Sequence, residues 1–326
     1  MYTKFFKLHL VVVTAILLQL GITKAIAEDK GIIDWEALNP EIKGATFVKS
    51  REKCLECHEE YIRTFATTKM GIALPDGGCE SCHGPMSKHL DAPRQKPALV
   101  VSLKDKSEFN PNPLNPGQKA SICTQCHQGG LQLYWQMSSH ATADYTCTNC
   151  HNIMSVEDPI RIRTTQAEVC FTCHKDQRTD SRKFSHHPIN EGKVICVDCH
   201  NPHGTLASVN LKKNTVNETC YTCHAEKRGP FLWEHEPATE DCTYCHTPHG
   251  SNITPLLKSR TPFLCSECHD GPHHSDDPAG LSVAGAQAGG TVGTNGVSEN
   301  YTGRACMNCH SMVHGTNNPA GALLHR

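Results

Sequence analysis

Every one of the twenty cysteines in this 326-residue chain belongs to a C-x-x-C-H motif, which leaves the chain few ways to fold. The pairs are Cys54/Cys57, Cys79/Cys82, Cys123/Cys126, Cys147/Cys150, Cys170/Cys173, Cys196/Cys199, Cys220/Cys223, Cys242/Cys245, Cys265/Cys268 and Cys306/Cys309. Each motif offers two thiols for covalent attachment of a haem and a histidine for its iron. A closed zinc site needs four ligands and has no use for a histidine directly after the second cysteine, ten times over. A redox dithiol explains one C-x-x-C, and a disulfide scaffold needs no histidines. The expected cofactors are therefore ten covalently bound c-type haems, with no catalytic residue assigned.

The proximal iron ligands are then His58, His83, His127, His151, His174, His200, His224, His246, His269 and His310. The stretch from Cys170 to His203 serves as a ruler for the second ligand of each iron. It reads motif, His187, motif, His203, so it holds two motifs and two further histidines. The same order recurs from Cys220 with His235 and His249. From Cys265 it recurs with one of His273/His274, and His314. From Cys123 there is His140 and no later histidine; from Cys54 there is only His89, after the second motif. Methionine, the other common haem ligand, fills both gaps in register. Met70 lies nine residues before Cys79, as His187 lies nine before Cys196; Met154 lies three after His151, as His203 does after His200. The expected distal set is Met70, His89, His140, Met154, His187, His203, His235, His249, His274 and His314. The second of each adjacent pair is favoured over His186 and His273. Met86, Met137, Met307 and Met312 are read as packing residues, His325 as a surface histidine and Lys69 as a poorer substitute for Met70. Which distal ligand serves which iron is left open by the sequence.

Residues 1–27 read as a secretory signal: Lys4 and Lys7, an apolar run from Leu8 to Leu20, and a small-x-small site at Ala25-Ile26-Ala27. The apolar run is shorter than the ~20 residues a spanning helix needs. The segment carries three lysines and no acid, so its removal takes the formal charge from −2 to −5. That argues against nucleic acid as a partner and weakly for basic protein surfaces. Residues 28–326 are expected to form a single elongated domain of five dihaem copies, at about 54–89, 123–154, 170–203, 220–249 and 265–314. Short helices should carry the motifs, with a short helix near Ile32–Trp35 and neither convincing strand alternation nor a long amphipathic helix. Proline-rich 84–122 reads as an extended loop, and Ala279–Gly296, rich in Gly, Ala, Ser and Thr, as a flexible one. With only 3 Trp, 7 Tyr and 9 Phe, the chain is poor in core-forming aromatics, and folding should depend on haem attachment.

The strings C-E-S-C-H-G-P (79–85), C-Y-T-C-H-A-E-K-R-G-P-F-L-W-E-H (220–235), C-T-Y-C-H-T-P-H-G-S (242–251) and C-M-N-C-H-S-M-V-H-G (306–315) go beyond the shared motif. On them, nearly the whole mature chain resembles the MtrA/MtoA/PioA-type decahaem cytochromes, related to the DmsE family. The resemblance implies an elongated, mostly irregular wire of stacked haems with little or no β-sheet. It implies a periplasmic protein inserted in an outer-membrane β-barrel porin. Electrons would pass between periplasmic c-type cytochromes and the cell exterior, where an extracellular multihaem cytochrome is a further candidate partner. Met70 and Met154 depart from the histidines expected in metal-reducing members. Because methionine raises haem potential, the expectation leans to electron uptake from extracellular Fe(II). The alternatives are the same conduit running outward for metal reduction, a soluble periplasmic shuttle, and a multihaem reductase if one distal position were open.

Overall fold

A computed structural model describes residues 33–74, 78–261, 263–269, 306–308, 310–319 and 321–324. The secretory segment, the Gly-rich stretch 279–296, His273, His274, Cys309 and His325 lie outside them. The chain divides into two compact bodies: residues up to Gln136 with His140–Glu157, and Met137–Ser139 with Asp158 onward. The described residues form short helices and irregular chain, with no strand among them and only isolated bridges. No helix among them is long and apolar enough to cross a membrane. The fold is thus mostly irregular, as the motif spacing leads one to expect. Among the described residues only thirteen apolar side chains are buried, against eleven polar ones, so hydrogen bonds carry much of the packing.

In the first body, the Trp35–Leu38 helix starts where the Asp34 carboxylate accepts from Ala37 N at 3.0 Å. Asn39 then donates to Ala98 O and Val100 O, tying the lead-in to the proline-rich stretch. That stretch departs from the extended loop expected of it. It is helical at Ser87–Asp91 and Pro116–Thr124, and it supplies Val101, Leu114 and Ile122 to the core around Ile42. Pro116 marks a helix start, not a break: it occupies the first helical turn behind an Asn115/Gln118 capping box. The Arg51–Ala66 helix, at 16 residues, is also longer than expected. It buries only Ile62 and Phe65, too short a stripe to read as amphipathic. It carries the first motif and leaves helical geometry at His58 (φ −120°, ψ 39°).

In the second body, polar side chains clip the start of one motif to the segment before another. Gln166 accepts from Val197 N at 3.3 Å and donates to Ile160 O at 3.0 Å. Asn217 accepts from Cys242 N at 2.7 Å and donates to Ala238 O and Thr239 O. Glu80 does the same in the first body, accepting from Val48 N, Lys49 N and Met86 N. All three side chains belong to buried residues whose polar atoms would be costly to leave unpaired.

Candidate haem-ligand sites

The motifs lie on short helical turns, and the fold brings their thiols together in a regular way. Cys123 and Cys147 share a thiol–thiol hydrogen bond, as do Cys220 and Cys242. Cys54 meets Cys79 and Cys265 meets Cys306 likewise. The bond from Cys170 holds the pKa of the Cys196 thiol down at about 7, as the bond from Cys123 does that of Cys147. Within each copy, the first cysteine of one motif therefore touches the first cysteine of the other. No disulfide links the described cysteines. Among the described residues no three His, Cys, Asp or Glu groups converge as a protein-only metal site would require.

The two thiols of a motif are not placed alike. Every first cysteine is half-buried, whereas the second cysteines Cys57, Cys126, Cys150, Cys173, Cys223 and Cys268 are exposed. Only Cys82, Cys199 and Cys245 among the described second cysteines are half-buried. The cause is the turn that carries the motif. Three residues advance a helix by about 4.5 Å, which takes the second thiol of several motifs to the end of a short element. Cys150 follows the Cys147–Asn149 turn, and Cys173 lies just beyond the Arg163–Phe171 helix. Cys57 directly precedes the break at His58. Protein atoms thus enclose the first thiol of these motifs better than the second.

The histidines, by contrast, meet in twos. The rings of His58 and His89 stack with centroids 6.3 Å apart, and those of His235 and His269 at 6.2 Å with planes 17° apart. His246 and His314 stand 6.2 Å apart at 9°, His200 and His249 6.1 Å at 23°, and His187 and His224 6.2 Å at 53°. About 2 Å of metal–nitrogen bond and roughly 1 Å from nitrogen to ring centre, on each side, give about 6 Å for two imidazoles sharing one ion. Five pairs at that spacing fit a six-coordinate haem iron. Each of them joins one motif histidine to one histidine outside the motifs.

The second ring nitrogen fixes which atom is offered. Nδ1 of His200 lies 2.9 Å from Val209 O and that of His246 2.9 Å from Pro255 O. Nδ1 of His83 lies 2.8 Å from Val101 O and that of His310 2.6 Å from Leu323 O. The distal rings behave alike: His187 Nδ1 reaches Pro248 O at 2.7 Å and His235 Nδ1 reaches Val313 O at 2.9 Å. A carbonyl can only accept, so Nδ1 carries the proton and Nε2 keeps its lone pair for a metal. Burial lowers the basicity of His83, His246, His249 and His314, and, with neighbouring His58, that of His89, so these rings are neutral near pH 7.

These carbonyls and the turns that aim them were not singled out from the sequence. Asn210, Leu256 and Leu324, each just after an accepting carbonyl, have φ of 55°, 59° and 57°. Non-glycine residues rarely adopt this conformation, and it costs energy that the surrounding contacts must offset. The one legible signal was the glycine after the distal histidine: Gly204 and Gly315 have φ of 99° and 115°, open mainly to glycine.

The remaining expected residues sit as follows. His186 does not face a second ring; its Nδ1 is 2.5 Å from Lys183 O and its Nε2 3.9 Å from Glu191. Met70 lies in the Lys69–Ala73 helix, and Met154, exposed, in the turn after His151. His140 lies in the Ser139–Thr142 helix edge-on to Tyr145, His174 begins the Lys175–Asp180 helix, and His203 N donates to Asn201. His127 follows the turn that closes the Pro116–Thr124 helix.

Covalent haem motifs in a fold of short helices, with imidazoles meeting two by two, define a multihaem c-type cytochrome, an electron-transfer protein. Comparison with known proteins agrees. The doubled CXXCH motif model matches residues 186–229 and 235–274, the cytochrome c-type protein NrfB-like model matches 79–166, and the cytochrome c554 and c-prime model matches 27–84. The multiheme cytochrome MtrA of Shewanella baltica is 39% identical over 286 residues, covering 85% of this chain and 82% of that protein. The cytochrome c-type protein NrfB of Haemophilus influenzae is 22% identical over 187 residues, 44% of this chain and 78% of that one. The chain belongs to the MtrA family of multihaem cytochromes.

Proposed function

We propose that this protein binds ten covalent haems and is the electron conduit of an outer-membrane porin complex. The cysteine pairs would anchor the haems, the exposed Cys57, Cys150 and Cys173 included, and the motif histidines would bind the irons through Nε2. The opposite ligands would be Met70, His89, His140, Met154, His187, His203, His235, His249, His274 and His314. Bound haems would supply the one-electron Fe(III)/Fe(II) couple, and these residues, two to each iron, would leave none open to a substrate. The chain's own contribution is to hold Nε2 by occupying Nδ1, and to fix successive motifs beside one another through Glu80, Gln166 and Asn217.

The observation that carries this reading is the set of five imidazole pairs near 6.2 Å. Family membership and the exported character of the sequence support the periplasm and a β-barrel partner, with periplasmic cytochromes on one side and an extracellular donor or acceptor on the other. The methionines in two ligand positions support uptake of electrons from extracellular Fe(II), since methionine raises haem potential.

The test is reconstitution of the protein, with a β-barrel encoded beside it, into vesicles that enclose an oxidised one-electron dye. External Fe(II) should reduce the enclosed dye only when both chains are present, each Fe(II) giving up one electron and becoming Fe(III). Transfer only from an enclosed reductant to external Fe(III) would replace uptake by the outward direction. Failure of the protein to stay with any barrel through purification would replace the conduit by a soluble periplasmic carrier.

A further inference from the structure

The ring pairs follow a register that the sequence leaves open. The copies beginning at Cys170, Cys220 and Cys265 are here the third, fourth and fifth. The first distal residue of the third copy, His187, faces the first motif histidine of the fourth, His224. The first distal residue of the fourth, His235, faces the first motif histidine of the fifth, His269. In the other slot the direction reverses. The second motif histidines His200 and His246 face the second distal residues of the following copies, His249 and His314. The backbone keeps the same step. Ser185, two before His187, exchanges both hydrogen bonds with Ser251, two after His249; Trp233 and Thr316 do the same around His235 and His314.

In the first copy, His58 and His89 face one another. His89 is thereby engaged, so His83 must look elsewhere for a second ligand. Its Nδ1 is nonetheless bound to Val101 O in the manner of His200 and His246, which prepares its Nε2 for a metal.

We propose, on the ten-haem reading above, that the same register runs from the first copy to the second, so that Met70 and His127 hold one iron while His83 and Met154 hold another. Both mixed sites then belong to a single junction between copies. They are also neighbours: Cys82 of the second motif lies within electrostatic range of Cys126 of the third, as Cys199 does of Cys223 and Cys245 of Cys268. The residues around Met70 are built to hold it. The Arg51 guanidinium donates to Gly71 O at 3.0 Å and Leu74 O at 2.9 Å, and Thr68 Oγ1 accepts from Gly71 N at 2.9 Å. Thr68, in the place of Ser185 and Trp233, gives its own N–H to Phe65 O. Met70 is thus positioned from within its own copy, and a long unbranched side chain suits a junction without that two-bond exchange.

The test uses the full haem-loaded protein. Near-infrared magnetic circular dichroism of the ferric state separates His/Met from bis-His iron. Two His/Met sites are expected in the native protein, one in Met70→His, one in Met154→His, and none in the double variant. In titration with dithionite both His/Met signals should be lost first, each iron taking one electron. A crystal structure of the loaded protein should place Met70 Sδ opposite His127 and Met154 Sδ opposite His83. Native protein without His/Met signals, signals untouched by the substitutions, or the methionines opposite other histidines would each overturn the proposal. Intact mass on the same samples separates the two levels. Ten haems with the methionines opposite other histidines sinks this inference alone, ten haems without His/Met signals also removes Met70 and Met154 from the ligand set above, and fewer than ten sinks the ten-haem reading beneath both.

Discussion

A neutral imidazole offers a metal whichever nitrogen its surroundings leave unprotonated, so each ligand histidine depends on the acceptor behind it. His186 and His187 separate on this ground. Both have Nδ1 against a carbonyl, but only His187 turns its ring to a motif histidine, and its acceptor, Pro248 O, belongs to the following copy. His187→Ala should therefore add one high-spin ferric signal in electron paramagnetic resonance, while His186→Ala should leave the spectrum of the native protein. Gly250 gives a second prediction. A Cβ there would lie 1.9 Å from Asp180 O, far inside contact distance. Gly250→Ala should destabilise the protein by about 1–3 kcal/mol through forced backbone movement, read from urea unfolding. At this scale the sequence was informative about side chains able to bind metal, because their chemistry restricts residue type. It was silent about Val101, Val209, Pro255 and Leu323, which act through backbone carbonyls that any residue possesses. It also did not distinguish a half-buried Cys54 or Cys170 from an exposed Cys57 or Cys173, since that difference arises where a helical turn ends.

Among elements, the short helices hold together through buried side-chain amides and a carboxylate more than through apolar stripes. Asn217 satisfies one N–H and two carbonyls at once, joining the start of the 220 motif to that of the 242 motif. Asn217→Ala should lower stability by roughly 1–3 kcal/mol, since those groups remain buried without partners, and should leave the haem count unchanged. The check is a shifted urea midpoint with the same slope, alongside intact mass. The motif spacing made helices of a few residues legible, because each C-x-x-C-H begins a turn. The proline-rich stretch was misleading. Pro116 begins a helix, and Val101 and Leu114 reach the Ile42 core from chain with no periodic pattern. Such chain is held by specific contacts over long sequence separation, as Asn39 with Ala98 and Val100, which leave no local signature.

For the whole molecule, thirteen buried apolar side chains among the described residues are few for a chain of this length, so covalent haem should be a condition of folding. Cys220→Ser with Cys223→Ser should give protein one haem lighter by mass and cut faster by protease between the third and fifth copies than elsewhere. Equal protection throughout would show that the chain folds without that haem. The mutual pairing of His58 and His89 has its own consequence for how such a protein can change in length. From the third copy to the fifth each junction exchanges one ligand each way, whereas His58 and His89 stack within the first copy. Where junctions exchange ligands in this way, insertion or deletion of a whole copy leaves each ligand matched. Loss of half a copy would strand a ligand, so the length of such a cytochrome should change in steps of two haems.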